Sequence, residues 1–234
     1  MMELFEAAVA TGGTAFHGSP AFTRVVTDSR MIATGDLFVA LRGERFDGHD
    51  FVIKAASQGA VAALVDAEWA QQHPLSSPYL AVADTRLALG ALAAYWRAKF
   101  ELPLVGITGS NGKTSVKEMI SAILRAQALA EGFDPLLAVL ATEGNLNNDI
   151  GVPLMLLKLN LMQRVAVIEM GMNHPGEIAY LTGLAKPTVA LVTNAQRAHL
   201  QGLESLANVA REKGAIYAGL GANGIAIINA DDAF

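Results

Sequence analysis

Leu104-Val105-Gly106-Ile107-Thr108-Gly109-Ser110-Asn111-Gly112-Lys113-Thr114 is an apolar run, a glycine-rich turn and a Lys-Thr pair that opens a helical pattern. Phosphate chemistry asks for that order. Glycines let backbone N–H groups turn inward around an anion, and the positive end of the new helix points at the same place. Lys113 adds a mobile charge for outer phosphates, and the Thr114 hydroxyl can ligate Mg²⁺. Val116, Met119, Ile120, Ile123 and Leu124 recur at helical spacing and predict an apolar stripe on a helix over 114–127. Ile107 stands where the common phosphate-loop pattern has a glycine, so the loop is a variant with Gly109 supplying the freedom. A turn that binds nothing is the plain alternative; strand, loop, Lys-Thr and helix together favour nucleotide binding.

Outward from this stretch the chain alternates apolar strands and helices, the signature of a parallel sheet. Strands are predicted at Leu104–Thr108, Val165–Glu169, Val189–Thr193 and Ile225–Asn229, with helices over 114–127, 152–159, 175–185 and 206–220. The region Ala128–Leu140 fits either a strand or an insertion. Up to about Ala83 the pattern is short strands and turns, with strands at 37–41, 60–65 and 79–82 and a helix at 51–58. A helix over Thr85–Phe100 belongs to the second unit. The expected fold class is α/β: a small α/β domain, 1–84, followed by a mostly parallel-sheet phosphate-loop domain, 85–234.

The chain has 234 residues, 52% hydrophobic and 17% charged, with a net charge of −5. Those values describe a well-buried globular chain, not a disordered one. No lysine–arginine run offers a surface to nucleic acid. Apolar runs break before the ~18 residues a membrane helix needs. There are no cysteines, which excludes disulfides and thiolate metal sites. An acidic start, Met1 to Glu6, differs from a basic signal-peptide head. A soluble, cytoplasmic protein is expected, with no nucleic-acid partner and no membrane span.

In open parallel sheets, ligands sit beyond the carboxyl ends of the strands. Glu169 closes the strand 165–169, where a carboxylate beside a phosphate loop can hold Mg²⁺; capping the next helix is its plain alternative. Asn194, just past 189–192, could bond a base or substrate. His199 follows, and spacing alone leaves it between metal ligand and structural residue. Lys213 falls at the centre of the stripe Leu206, Val209, Ala210, Ile216, Tyr217, Leu220. A lysine aimed inward needs a partner, a shifted pKa or a covalent modification; a stem packed on apolar surface with its ammonium in water is its plain alternative. The segment Glu143–Pro153 is rich in Asn and Gly and suits either ligand contact or capping.

With these residues in hand, the chain resembles the Mur ligase family. The resemblance rests on Asp28-Ser29-Arg30 with Gly35–Ala40, on the phosphate loop running into Ser115-Val116-Lys117-Glu118-Met119, on Gly144–Pro153, on Glu169–Glu177 and on Ala198-His199-Leu200. Asn145–Gly151 and Ser115–Met119 point to the branch adding D-alanyl-D-alanine. The resemblance implies an ATP-dependent ligase with Mg²⁺ as cofactor and, as substrates, UDP-N-acetylmuramoyl-tripeptide and D-alanyl-D-alanine. It implies a UDP-binding first domain, a central ATPase cut short at Phe234, an absent third domain, and a monomer.

By motif, Gly109, Ser110, Asn111, Gly112, Lys113, Thr114 and Ser115 would wrap the ATP phosphates, with Asn194 also in the nucleotide site. Glu169 and His199 would hold a second Mg²⁺, and Lys213 would carry a carbamate near it. Lys113, Glu169, His199 and Lys213 are the expected catalytic set. Ser29, Arg30, Asp47 and His49 would contact the uridine diphosphate, and Asn145 and Asn148 the substrate. Two rivals stand beside this reading. One is a module that holds nucleotide or UDP-sugar without ligating; the other is a folate polyglutamylating ligase.

Overall fold

The computed structural model describes residues 1–44, 46–196 and 205–234. The chain divides into two compact units, Met1–Tyr95 and Trp96–Phe234, with the break inside the helix Thr85–Arg97.

The first unit runs β1 (Met2–Glu3), α1 (Leu4–Thr11), β2 (Thr14–Phe16), β3 (Ala21–Phe22), β4 (Arg24–Val26), β5 (Asp36–Val39), α2 (Val52–Ser57), β6 (Ala62–Asp66), α3 (Ala67–Gln72), β7 (Tyr79–Val82) and the start of α4 (Thr85–Arg97). Its main sheet has the order β2-β7-β6-β5-β4, parallel except for the edge strand β2. Phe38, Ala40, Val52, Ala55, Ala63, Val65 and Ala70 form a core on one face. Asp36 is buried and pinned by Arg24 through Nε at 2.9 Å and Nη2 at 2.7 Å, which fixes β4 against β5. The helices α1 and α3 stand where the sequence pattern reads as strands and turns. They are only eight and six residues long, too brief for a clear 3.6-residue period.

The second unit carries β8 (Leu104–Thr108), α5 (Lys113–Ala130), α6 (Pro135–Ala138), β9 (Val139–Ala141), α7 (Gly151–Leu156), β10 (Val165–Glu169), α8 (Glu177–Ala185), β11 (Val189–Val192), α9 (Leu206–Gly214) and β12 (Ile225–Ile227). The five strands are all parallel in the order β12-β11-β8-β10-β9. The expected α/β class with a mostly parallel sheet is the fold observed. Register sets the functional edge: Ile107 lies opposite Glu169, and Thr108 opposite Val192. The residues following β8, β10 and β11 therefore leave the sheet side by side.

Two side chains, the buried Arg97 and the half-buried Trp96, tie the entry to this sheet. Arg97 donates from Nε to Ala185 O at 2.9 Å, from Nη1 to Phe100 O at 2.5 Å and from Nη2 to Leu102 O at 3.4 Å. A guanidinium thus caps the carboxyl end of α8 and holds the approach to β8. Trp96 donates its indole N–H to Leu159 O at 2.8 Å.

Three expectations are refined by the structure. The region 128–140, expected to hold a strand or an insertion, does lead into a strand: α5 runs on to Ala130, Asp134 caps the single turn α6, and β9 follows. The helix expected over 206–220 is α-helical only to Gly214, then tightens into a 3₁₀ turn over Ala215–Gly219. There Gly219 approaches α8 so closely that a Cβ would lie 2.1 Å from Thr182 Cγ2. The third is the stripe on α5. Met119 and Ile123 are 64% and 69% exposed, while Lys117, Ser121 and Ala128 are buried. Val116, Ile120 and Leu124 flank that buried line. The rotation of α5 puts Thr114 within hydrogen-bond reach of Glu169 and turns Met119 outward.

Candidate functional site

The site of the second unit begins with the backbone after β8. Gly109 has φ +148°, and a Cβ there would lie 1.8 Å from Thr193 Oγ1; Gly112 has φ +77° and serves as the N-cap of α5. Only glycine fits the first position, and the second is left-handed backbone that glycine adopts without cost. No side chain caps α5, so the N–H groups of its first turn remain as donors at the positive end of an 18-residue helix.

The apex of the loop is held from β11. Ser110 N donates to Asn194 O at 2.9 Å, and Asn111 N donates to Asn194 Oδ1 at 3.0 Å. Thr193 Oγ1 donates to Asn111 O at 2.7 Å, and Ser110 Oγ and Gln196 N bond at 2.9 Å. The amides of Ser110 and Asn111 are therefore already engaged. The free donors of the loop are concentrated at the start of α5. Lys113 turns back, its Nζ donating to Gly109 O at 2.9 Å, so its ammonium lies across the cradle.

Glu169 is 2% exposed. Its Oε2 accepts from Thr114 Oγ1 at 2.9 Å, its Oε1 accepts from Asn147 Nδ2 at 2.8 Å, and its own N–H donates to Thr142 Oγ1 at 2.8 Å. A carboxylate and a hydroxyl this close, beside a phosphate cradle, are hard oxygen donors of the type Mg²⁺ takes from a protein, the rest of its shell being phosphate and water. The chemistry of the pair fits the ion. Among the described residues, no cluster of three or more His, Cys, Asp or Glu could hold a metal without such outside ligands.

Lys213 is 2% exposed on α9. Burial draws its pKa down to about 8, and the nearby charge of Lys113 adds to the effect against the opposing pull of Glu212. Glu212 instead accepts from Gly176 N at 2.8 Å at the start of α8. Near neutral pH a fraction of Lys213 is free amine, the form that can add carbon dioxide. At the carboxyl ends of β11 and β12 lies a cavity of about 150 Å³ lined in part by Val192, Asn194, Gly214, Tyr217 and Asp232. A larger hollow of about 520 Å³, lined by Pro103, Phe133 and Arg164 among others, lies at the amino ends of β8 and β10. It is on the edge of the sheet opposite the loop.

In the first unit, the residues singled out from sequence lie past the carboxyl ends of β4 and β5. Ser29 is buried. Arg30 is exposed and pairs with Asp28, Nη2 to Oδ2 at 2.6 Å, and that hydrogen bonding lowers the Asp28 carboxyl to about 2. His49 is fully enclosed: Nε2 accepts the N–H of Asp66 at 3.0 Å, so Nδ1 carries the proton and meets Asp47 Oδ1 at 2.5 Å. Burial alone would raise the Asp47 carboxyl, but the bonds from His49 and the charge of Arg42 hold it below its usual range. His49 is a brace for the loop. Asp47 and Arg42 are the members of that cluster with exposed edges.

The structure brings Lys113, Thr114, Glu169 and Asn194 together. Asn148 Oδ1 is spent on capping α7, accepting from Gly151 N at 2.8 Å. It is Asn147 that reaches Glu169. His199 lies outside the described residues. Sequence reasoning passed over Asn147, Thr142, Thr193, Gln196 and the inward aim of Lys117. The available signal was a polar residue at each strand tip and, on α5, the spacing Lys117, Ser121, Leu124, Ala128.

A parallel sheet with a glycine turn at its central strand, a helix N-terminus aimed at that turn and a carboxylate on the adjacent strand define an α/β domain of the phosphate-loop type. The model of the Mur ligase middle domain matches residues 107–234, and that of the Mur ligase family, catalytic domain, matches 21–97. The chain belongs to the Mur ligase family. It is 50% identical over 208 residues to the UDP-N-acetylmuramoyl-tripeptide–D-alanyl-D-alanine ligase of Haemophilus influenzae, covering 89% of this chain and 44% of that protein. It is 51% identical to the Escherichia coli ligase of the same name, covering 89% and 43%. A crystal structure of MurF from Acinetobacter baumannii superposes with a TM-score of 0.87 at 38% identity, over 100% of this chain and 49% of that one. MurF ligase from Thermotoga maritima in complex with ADP superposes at 0.75 and 32% identity, over 89% and 46%. The chain thus spans about half the length of the relatives it matches.

Proposed function

We propose that this chain is the UDP-substrate-binding and ATP-binding part of a cytoplasmic ligase, acting as a monomer, that joins D-alanyl-D-alanine to UDP-N-acetylmuramoyl-tripeptide in peptidoglycan precursor synthesis. The observation that carries the reading is the Thr114–Glu169 pair, 2.9 Å apart at the foot of an uncapped helix and beside Lys113. The names of the similar proteins supply the substrates, and a similar protein is known with ADP bound. Residues 1–84 would hold the uridine diphosphate, with Ser29, Arg30 and Asp47 nearest to it, and residues 85–234 the nucleotide.

In this reading the first-turn N–H groups of α5 receive the phosphates, and Lys113 leaves Gly109 O to follow the outer one. Thr114 and Glu169 hold Mg²⁺, which when bound neutralises charge on the phosphate oxygens. A terminal carboxylate oxygen of the tripeptide attacks the γ-phosphorus and ADP leaves. The amine of the dipeptide then attacks the acyl carbon, phosphate departs, and the amine's proton goes to a base. The protein's share is positioning and charge neutralisation. Lys213, as a carbamate, would add an oxygen donor near Glu169, with His199 as a further ligand.

Calorimetric titration of the 234-residue chain with ATP, with and without Mg²⁺, tests the nucleotide site. Affinity that rises with Mg²⁺ and is lost in Lys113→Ala is expected; no affinity in the unaltered chain refutes the proposal. For the whole ligase, ADP release should require both UDP-N-acetylmuramoyl-tripeptide and D-alanyl-D-alanine. ATP binding without such turnover would favour a module that only binds.

A further inference from the structure

Lys117 is 3% exposed, on the face of α5 turned to the sheet, and the nucleotide reading gives it no task. Burying an ammonium costs several kcal/mol unless it is well bonded. A methionine or leucine would fill the same space without that penalty. What the charge gains is specific. Lys117 Nζ donates to Thr142 O at 2.8 Å and meets Glu118 Oε1 at 2.7 Å. Thr142 follows the last residue of β9, and its N–H is bonded to Val167 O at 3.0 Å.

The same Thr142 holds Glu169 by the main chain, its Oγ1 accepting Glu169 N–H at 2.8 Å. Glu169 then returns to α5 through Thr114 at 2.9 Å. Lys117, Thr142, Glu169 and Thr114 therefore form a closed ring that leaves α5, crosses β9 and β10, and comes back to α5 one turn earlier. The Lys117–Thr142 and Thr142–Glu169 links are buried, where geometry is held tightly, and the Thr114–Glu169 link closes the ring at the open side of the site. We propose that Lys117 is a positioning residue: by fixing the carbonyl of Thr142 it sets the height of the Glu169 carboxylate against Thr114. It touches neither phosphate nor metal itself.

The test has two arms, of which only the second rests on the metal–nucleotide reading. In the first, amide hydrogen exchange is followed at Glu169 in the unaltered chain and in Lys117→Met. Release of Thr142 should speed exchange at Glu169 by about tenfold or more, the equivalent of losing one charge-assisted hydrogen bond, with amides of the first unit unchanged. Unchanged exchange at Glu169 overturns the proposal.

In the second arm, ATP affinity is measured with Mg²⁺ and with EDTA. Lys117→Met should lose about tenfold of the gain that Mg²⁺ confers while its affinity in EDTA stays within about twofold. A retained Mg²⁺ gain, or an equal fall under both conditions as general loosening would produce, overturns it. If Lys117→Met does not fold, Lys117→Gln carries both arms, since it removes the charge and shortens the reach to the Thr142 carbonyl. If the unaltered chain binds no ATP, the nucleotide reading fails and the exchange arm still decides the role of Lys117.

Discussion

Replacing Lys213 by methionine should make the protein more stable at neutral pH. The side chain is 2% exposed on α9, and a methionine occupies nearly the same volume without a charge. Burial lowers the ammonium's pKa from 10.5 to about 8, with Lys113 contributing. At about 1.4 kcal/mol per pH unit, that gap corresponds to about 3 kcal/mol by which the folded state disfavours the proton. The sign follows from linkage. Below pH 8 both states are protonated and the whole penalty is present. Between about 8 and 10.5 the folded state has released its proton and the unfolded state has not, so stability rises with pH; above 10.5 the penalty is gone.

Urea denaturation from pH 7 to 10.5, in buffer free of carbon dioxide, measures this. Trp96 fluorescence in a Trp69→Phe background reports on the second unit. Lys213→Met should be more stable by about 3 kcal/mol at pH 7, the difference shrinking as the pH approaches 10.5. A loss of stability in Lys213→Met, or a difference independent of pH, refutes the reasoning. Either result would mean that the buried ammonium is compensated by a partner. If the gain is found, the lysine is kept at a cost to folding, as expected of a group with a chemical task.

Other consequences are equally direct. Gly109→Ala should lower stability by about 2 kcal/mol or more and weaken nucleotide binding, because its Cβ would sit 1.8 Å from Thr193 Oγ1; thermal denaturation and calorimetry check it. Arg97→Met should cost about 3 kcal/mol, since the carbonyls of Ala185, Phe100 and Leu102 lose their donor, and chemical denaturation would show it. Glu169→Gln should abolish the Mg²⁺-dependent part of ATP affinity and leave the EDTA value nearly unchanged, as read by calorimetry. Incubation with ¹³C-labelled bicarbonate at pH 8 should give a carbamate signal on Lys213 that is absent at pH 6, where the amine is fully protonated; no signal at pH 8 counts against the carbamate.

Much was legible without coordinates. The sheet strands 104–108 and 165–169 have the bounds read from their apolar runs, because a strand buried on both faces shows as a continuous run ended by a polar residue. The glycine turn was readable because its chemistry is local: backbone freedom, a cation and a hydroxyl within six residues. The central placement of Lys213 in its helix stripe also follows from spacing alone.

What the sequence could not decide is what depends on residues far apart in the chain. The rotation of α5 was misread because hydrophobicity alone favours Met119 and Ile123. The helix is instead seated with Lys117 and Thr114 toward partners 25 and 55 residues away, at Thr142 and Glu169. Which asparagine of the 145–148 group serves the site is likewise a matter of tertiary register: Asn148 caps α7 and Asn147 meets Glu169. Composition and period thus determined the fold class, the phosphate turn and the buried lysine. Only the packed sheet decided which polar atoms meet, because a hydrogen bond depends on tenths of an ångström that periodicity does not encode.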